Sequence, residues 1–271
     1  MTITPVSSLD LPVLQPYRTM RRPADQQRQG IFVAEGEKVV RALLKSNLQI
    51  LSILLTDEWL SVLRGDLEHQ KSQPDVFVAP KKVLETIVGF PLHQLIMAVG
   101  KIPKPYALDD VLRPSQEPFF FVAVDGLTNA ENLGALVRNC AAFGVQAILV
   151  GETSSSPYLR RAVRNSMGTV FNMPVVHLEN LAATLGEFNR RGIMTIAAHP
   201  PSAQDIPALD DVTSCCVVFG SEGEGISHDV LTACTKTAAI TMDNGVDSLN
   251  VASASAVVLH AIRARRKPFR K

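Results

Sequence analysis

FFFVAVDGLTNAENLGALVRNCAAFGVQAILVG, residues 119–151, decides the fold. It opens on an apolar run, Phe119–Val124, of the kind found in strands buried on both faces. A helical pattern follows over 132–144, and Gly144 closes it with a left-handed stop. A second apolar strand occupies 145–151. Strand, helix and strand in that order require a parallel sheet covered by helices.

The alternation continues outward in both directions. Downstream, the pattern predicts a helix over 157–168, extended chain over 169–178 and a helix over 179–192 closed by Gly192. Strands over 193–199 and 214–220, a helix over 228–236, a strand over 237–243 and a long helix over 248–266 complete it. Upstream, KIPKPYALDDVLRPSQEP (101–118) holds four prolines and breaks the pattern as a linker does. Before it, helices over 34–48, 58–70 and 81–90 alternate with strands over 49–57, 75–80 and 93–100. Residues 1–30 carry no clear period and read as an irregular lead-in with room for one short helix. The expected organisation is a small α/β domain over 1–105 and a larger α/β domain over 116–271.

Composition narrows the function classes. With 46% hydrophobic and 20% charged residues, the chain has the apolar surface for a core, which excludes disorder. Its apolar runs fall far short of the ~18 residues a spanning helix needs. The first residues lack a basic start and an apolar core segment, so no secretory signal is expected. Cys140, Cys215, Cys216 and Cys234 fit neither a metal spacing nor a disulfide framework, and the adjacent Cys215 and Cys216 on an apolar run read as small core residues. The expectation is a cytoplasmic protein without a metal. The net charge of +1 is uninformative, but basic residues cluster at Arg18, Arg21, Arg22 and Arg28, at Arg160, Arg161 and Arg164, and near the C-terminus. Local basic clusters on a neutral protein suit a polyanion held at defined points, and equally a solvated surface.

Open parallel sheets bind ligands beyond the carboxyl ends of their strands. The loops there carry no Walker A sequence, no dinucleotide fingerprint in order, no nucleophile elbow and no HExxH. Three segments are nonetheless unusually polar. In DGLTNAENLGALVRNC (125–140), spacing alone makes Asn132 a helix N-cap and Arg138 a helix-surface cation; groups facing a pocket are the alternative. In VVFGSEGEGIS (217–227), glycines allow close backbone approach, and Glu222 and Glu224 favour a neutral or cationic ligand over a phosphate. In ITMDNGVDSLNVASASAVVLHAI (240–262), Asp247-Ser248 starts a helix rich in small residues, suited to close packing.

Taken together and in this order, these segments resemble the SpoU/TrmH family of RNA ribose methyltransferases, of the SPOUT superfamily, over about residues 119–266. Residues 157–175 resemble the family's segment between motifs, and the opening domain resembles the small substrate-binding domain of members that act on rRNA. Ser221 stands where Asn is common, and Thr241 where Pro is common; neither changes a charge. The resemblance implies a deep trefoil knot, a homodimer whose interface completes each site, and S-adenosylmethionine held by Gly220, Ile240 and Leu249 with Met242 nearby.

The implied reaction moves a methyl group to a ribose 2′-oxygen of RNA, rRNA before tRNA. The resemblance places Arg138 beside that hydroxyl, reaching in from the partner subunit. Arginine stays protonated and is a poor base, so its expected role is to stabilise the incipient alkoxide. Asn132 would orient Arg138 or the ribose, Glu222 would hold the loop or Arg138, and Ser248 and Asn250 would line the site. Arg21, Arg22, Arg28, Arg160, Arg161 and Arg164 would contact RNA phosphates. A base methyltransferase of the same superfamily and a catalytically silent RNA-binding scaffold are the competing readings.

Overall fold

The computed structural model describes residues 2–71, 73–88, 95–199 and 212–265. The chain divides into two units, one of Met1–Lys104 with Tyr158–Asn172 and one of Pro105–Pro157 with Met173–Lys271.

The first unit is built on five strands: β1 (Ile3–Pro5), β2 (Ile31–Glu35), β3 (Ile50–Leu55), β4 (Asp75–Val78) and β5 (Ile96–Lys101), in the order β1-β4-β3-β5-β2. β4 is parallel to β1 and β3, whereas β5 runs antiparallel to β3 and β2. The helices are α1 (Gln15–Arg18), α2 (Pro23–Gln29), α3 (Glu37–Leu44), α4 (Asp57–Glu68) and α5 (Lys81–Val88). α3 buries Val39, Val40, Leu43 and Leu44, and α4 buries Leu60, Leu63 and Leu67, the faces expected of them. The segment expected to begin a helix at residue 34 is instead the end of β2, and the helix starts after Gly36. All five residues of β2 are buried, so the strand shows no alternation to betray it.

The lead-in is more structured than its composition suggests. β1 sits at the sheet edge, where Pro5 costs no internal ladder bond. Leu14, Tyr17 and Met20 enter the core. The Tyr17 hydroxyl lies 2.8 Å from Ser52 Oγ, and burial pushes its ionisation above the usual phenol range.

The second unit carries a six-stranded parallel sheet: β6 (Phe120–Val124), β7 (Ala147–Val150), β8 (Val175–His177), β9 (Met194–Ala198), β10 (Cys215–Phe219) and β11 (Lys236–Ala238), in the order β11-β9-β10-β6-β7-β8. α6 (Leu108–Val111), α7 (Ala130–Phe143), α9 (Leu181–Arg190), α10 (His228–Ala233) and α11 (Val251–Arg265) accompany it, while α8 (Arg160–Asn165) belongs to the first unit. Phe119, Phe121 and Phe188 form a ring cluster in the core, with centroids 5.4 and 5.7 Å apart. Cys215 and Cys216 are buried, as the sequence suggested, and Cys140 is buried as well. From β6 the chain steps outward through β7 and β8, then crosses to the other side, where β10 lies beside β6, β9 beyond it and β11 at the edge. The order reverses between β6 and β10, a switch point of the kind where open sheets bind ligands.

The contiguous split at 105–116 therefore needs a correction. Residues 158–172 complete the first unit through Tyr158 and Phe171, whose rings lie 5.7 and 5.3 Å from that of Phe32. Residues 169–172, expected to be extended, form a 3-10 turn before β8. The basic tail residues Arg266, Lys267, Arg270 and Lys271 lie outside the described residues. No helix among the described residues is long and apolar enough to cross a membrane.

Candidate active site

The site grows out of the switch point. Val124, Phe219, Ala198 and Ala238 end four adjacent strands in register, so the loops after them emerge side by side. Asp125 follows β6 and is buried; its Oδ2 accepts the Ser227 N–H at 2.7 Å, and its own N–H donates to the Phe219 carbonyl at 2.9 Å. One carboxylate thus ties the far end of the loop after β10 to the sheet.

That loop turns back on itself. Ser221 and Gly225 exchange N–H···O bonds of 2.9 and 3.1 Å. A Cβ on Gly220 would lie 2.2 Å from the carbonyl carbon of Gly225, so this position admits only glycine. The sequence suggested that these glycines yield space to a ligand; at Gly220 the loop's own backbone needs it.

α7 begins at an N-cap, but the cap is Asn129, whose Oδ1 accepts from the N–H groups of Glu131 and Asn132 at 2.9 and 3.2 Å. Asn132, expected as the cap, is released from that duty. Its side-chain amide donates to Glu222 Oε1 at 2.6 Å. Asn250, just before α11, donates its amide to Asn132 Oδ1 at 3.1 Å and also to Glu222 Oε1. Three segments distant in the chain are therefore clamped by two amides on one carboxylate oxygen.

α11 is held in place along α7. The Asn139 amide donates to the Ala252 carbonyl at 2.7 Å and Ser255 Oγ at 2.9 Å, which the small side chains of α11 make possible. Arg263 caps the other end on the Ala142 carbonyl at 2.9 Å.

Beside the clamp lies a crevice of about 300 Å³, at the lower end of ligand-pocket sizes. Gly220, Glu222, Ile240, Met242, Ser248 and Leu249 all line it. The structure thus brings together every sequence-predicted residue of the site except one. Arg138 is exposed, six residues and about one and two-thirds turns beyond Asn132, and does not line the crevice. It makes no hydrogen bond or ion pair among the described residues. Glu222 engages the two amides, not Arg138.

Asp125 escaped the sequence reading, as did His199, which lines the crevice. The signal for Asp125 was there: a carboxylate directly after an all-apolar strand. Burial and then the nearby Asp125 carboxylate push the Cys234 thiol up to about 12, which keeps it protonated and unreactive at neutral pH.

The six candidate phosphate contacts all fall in the first unit. Arg21, Arg22, Arg161 and Arg164 are exposed, and Arg28 is exposed with its charge shared by Asp25. Arg160 differs: it is turned inward against the buried Glu35 carboxylate, with Arg164 3.8 Å from the same group. This ion pair ties α8 to β2, and Arg160 is a structural cation first.

Comparison with known proteins agrees with this architecture. Residues 120–260 match the model of the SpoU rRNA Methylase family. A protein of Mycobacterium bovis named as an uncharacterized tRNA/rRNA methyltransferase is 37% identical over 189 residues, covering 68% of this chain and 58% of that protein. The match thus spans less than two thirds of that relative. A Mycobacterium tuberculosis relative of the same description is 28% identical over 269 residues, covering 96% of this chain and 91% of its own. The fold matches an AdoMet-bound rRNA methyltransferase of Sinorhizobium meliloti at a TM-score of 0.82, with 23% identity, over 97% of this chain and 98% of the other. It also matches the SpoU methyltransferase AviRb of Streptomyces viridochromogenes at 0.78, with 23% identity, over 93% and 96% of the two chains.

Proposed function

Because the chain belongs to the SpoU rRNA methylase family, whose model spans more than half of its 271 residues, we propose that it methylates a ribose 2′-hydroxyl of RNA, rRNA before tRNA, with S-adenosylmethionine as donor. The observation that carries this reading is the clamp of Asn132, Glu222 and Asn250 beside a crevice lined by Gly220, Ile240, Met242 and Leu249. The crevice suits the donor chemically. Ile240, Met242 and Leu249 offer an apolar wall for a purine, and the Glu222 carboxylate complements a sulfonium cation. When bound, that sulfonium supplies an electrophilic methyl group and needs no metal.

The chain's own residues do the rest. Glu222 fixes the loop after β10 against α7 and residue 250, so the crevice is pre-shaped. Ser248 and Asn250 offer a hydroxyl and an amide at its mouth. Arg138 stabilises negative charge developing on the ribose oxygen. Its exposed place outside the crevice fits a role in the site of a second copy. The exposed apolar Val246, Leu249 and Val257 support such a homodimer. The C-terminal helix α11 would thread a loop to make the trefoil knot. The first unit, with Arg21, Arg22, Arg28, Arg161 and Arg164 on it, would hold RNA phosphates in a cytoplasmic setting, Arg160 only in addition to its hold on Glu35.

Mixing two inactive variants tests the shared site. Arg138→Ala and Asn250→Ala, each silent alone, should regain activity when co-assembled, because one of the two sites in the mixed dimer is intact. Failure of mixed dimers to regain activity would reject it.

A further inference from the structure

A second crevice, of about 210 Å³, lies in the first unit at the carboxyl ends of the parallel strands β3 and β4. The N-termini of α4 and α5 both open onto it, and Thr56, Asp57, Glu58, Trp59 and Lys81 line it. Thr56 holds the N-cap position of α4 but makes no capping bond. Its hydroxyl is buried, the residue being 8% exposed, and has no hydrogen-bond partner among the described residues. A buried hydroxyl without a partner is costly, and the first-turn N–H groups of α4 add donors in the same place.

The charges select the occupant. Asp57 and Glu58 face one lysine, Lys81, which is itself 4.0 Å from Glu85. A phosphate would meet a net negative rim. A neutral group bearing acceptors for the hydroxyl and N–H groups, and donors for the two carboxylates, fits. Trp59 is half-buried in the wall, which adds a flat aromatic surface. A nucleobase has all three properties.

We propose that this crevice is a subsite for one unpaired base of the RNA, stacked on Trp59 and hydrogen-bonded by Thr56. The inference rests on the RNA reading above and deepens it: the first unit recognises a base as well as phosphates.

Trp59 is the sole tryptophan of the chain, so its fluorescence reports this crevice alone. The full chain is titrated with a single-stranded hexamer of adenosine and with the same sugar-phosphate chain lacking bases. The adenosine hexamer should quench Trp59 saturably and the base-free chain should not. Thr56→Val should weaken the hexamer about three- to tenfold, the effect of one lost hydrogen bond. Trp59→Leu, followed by filter retention of labelled hexamer, should weaken it by a similar factor. Equal quenching by the base-free chain would overturn the proposal, as would unchanged affinity in both variants. Retention of the hexamer with no change in Trp59 fluorescence would sink this subsite and leave the RNA reading standing. No retention at all, with no methyl transfer to RNA, would remove the reading beneath it.

Discussion

Glu222 Oε1 accepts a hydrogen bond from the side-chain amide of Asn132 at 2.6 Å, across ninety residues of chain. Because Asn250 shares that oxygen, one carboxylate holds the loop after β10, the start of α7 and the approach to α11. Removing it frees all three. Hydrogen bonds to a charged group are worth about 1.5–3 kcal/mol, less at an exposed residue such as Glu222. Glu222→Ala should therefore weaken S-adenosylmethionine binding about tenfold by calorimetry, and Glu222→Gln, which keeps a carbonyl acceptor, about threefold. Unchanged affinity in Glu222→Ala would remove the clamp from the account.

Gly220 and Gly223 lie three residues apart in the same loop and predict opposite outcomes. A methyl group on Gly220 collides with the Gly225 backbone, whereas one on Gly223 meets nothing within 4 Å. Gly220→Ala should open the turn and cost more than tenfold in cofactor affinity. Gly223→Ala should leave affinity within about twofold. Equal behaviour of the two variants by calorimetry would show that the turn's closure is not what shapes the crevice.

Asp125 acts through the loop and not on a substrate, so it is a positioning residue. Asp125→Ala leaves the Ser227 N–H without its acceptor, a loss of about 1–3 kcal/mol. Both thermal stability and cofactor affinity should drop. Asp125→Asn retains an oxygen at the same reach and should restore most of the affinity. If Asn restores stability but not cofactor binding, the carboxylate has a duty beyond holding Ser227.

The second unit was largely legible because its strands are continuous apolar runs and its helices end at glycines such as Gly144 and Gly192. The first unit was less so. β2 is buried on both faces and short, so it merged with the helix after it. β1 is three residues at an edge, below the length where a pattern can show. Segment 158–172 lies in the chain among elements of the second unit, yet Phe171 and Tyr158 pack on Phe32, a pairing no local pattern encodes. Of the site, the residue types and their segments could be read, but not their partners. Two asparagines, Asn129 and Asn132, stand three apart before an apolar helix, and either could cap it. Only the fold shows that Asn129 caps and Asn132 is left for Glu222. That Arg138 stays outside the crevice of its own chain follows from its face of α7, which helical spacing alone does not orient.

The most direct test of the account is nucleoside analysis. The purified protein is incubated with RNA and S-adenosylmethionine labelled in its methyl group, and the RNA is digested to nucleosides. The label should appear in a 2′-O-methylated nucleoside, and Arg138→Ala should lower its yield about a hundredfold or more, the scale for loss of one oxyanion donor, with cofactor affinity unchanged. Label carried on a base, or a normal yield from Arg138→Ala, would contradict it.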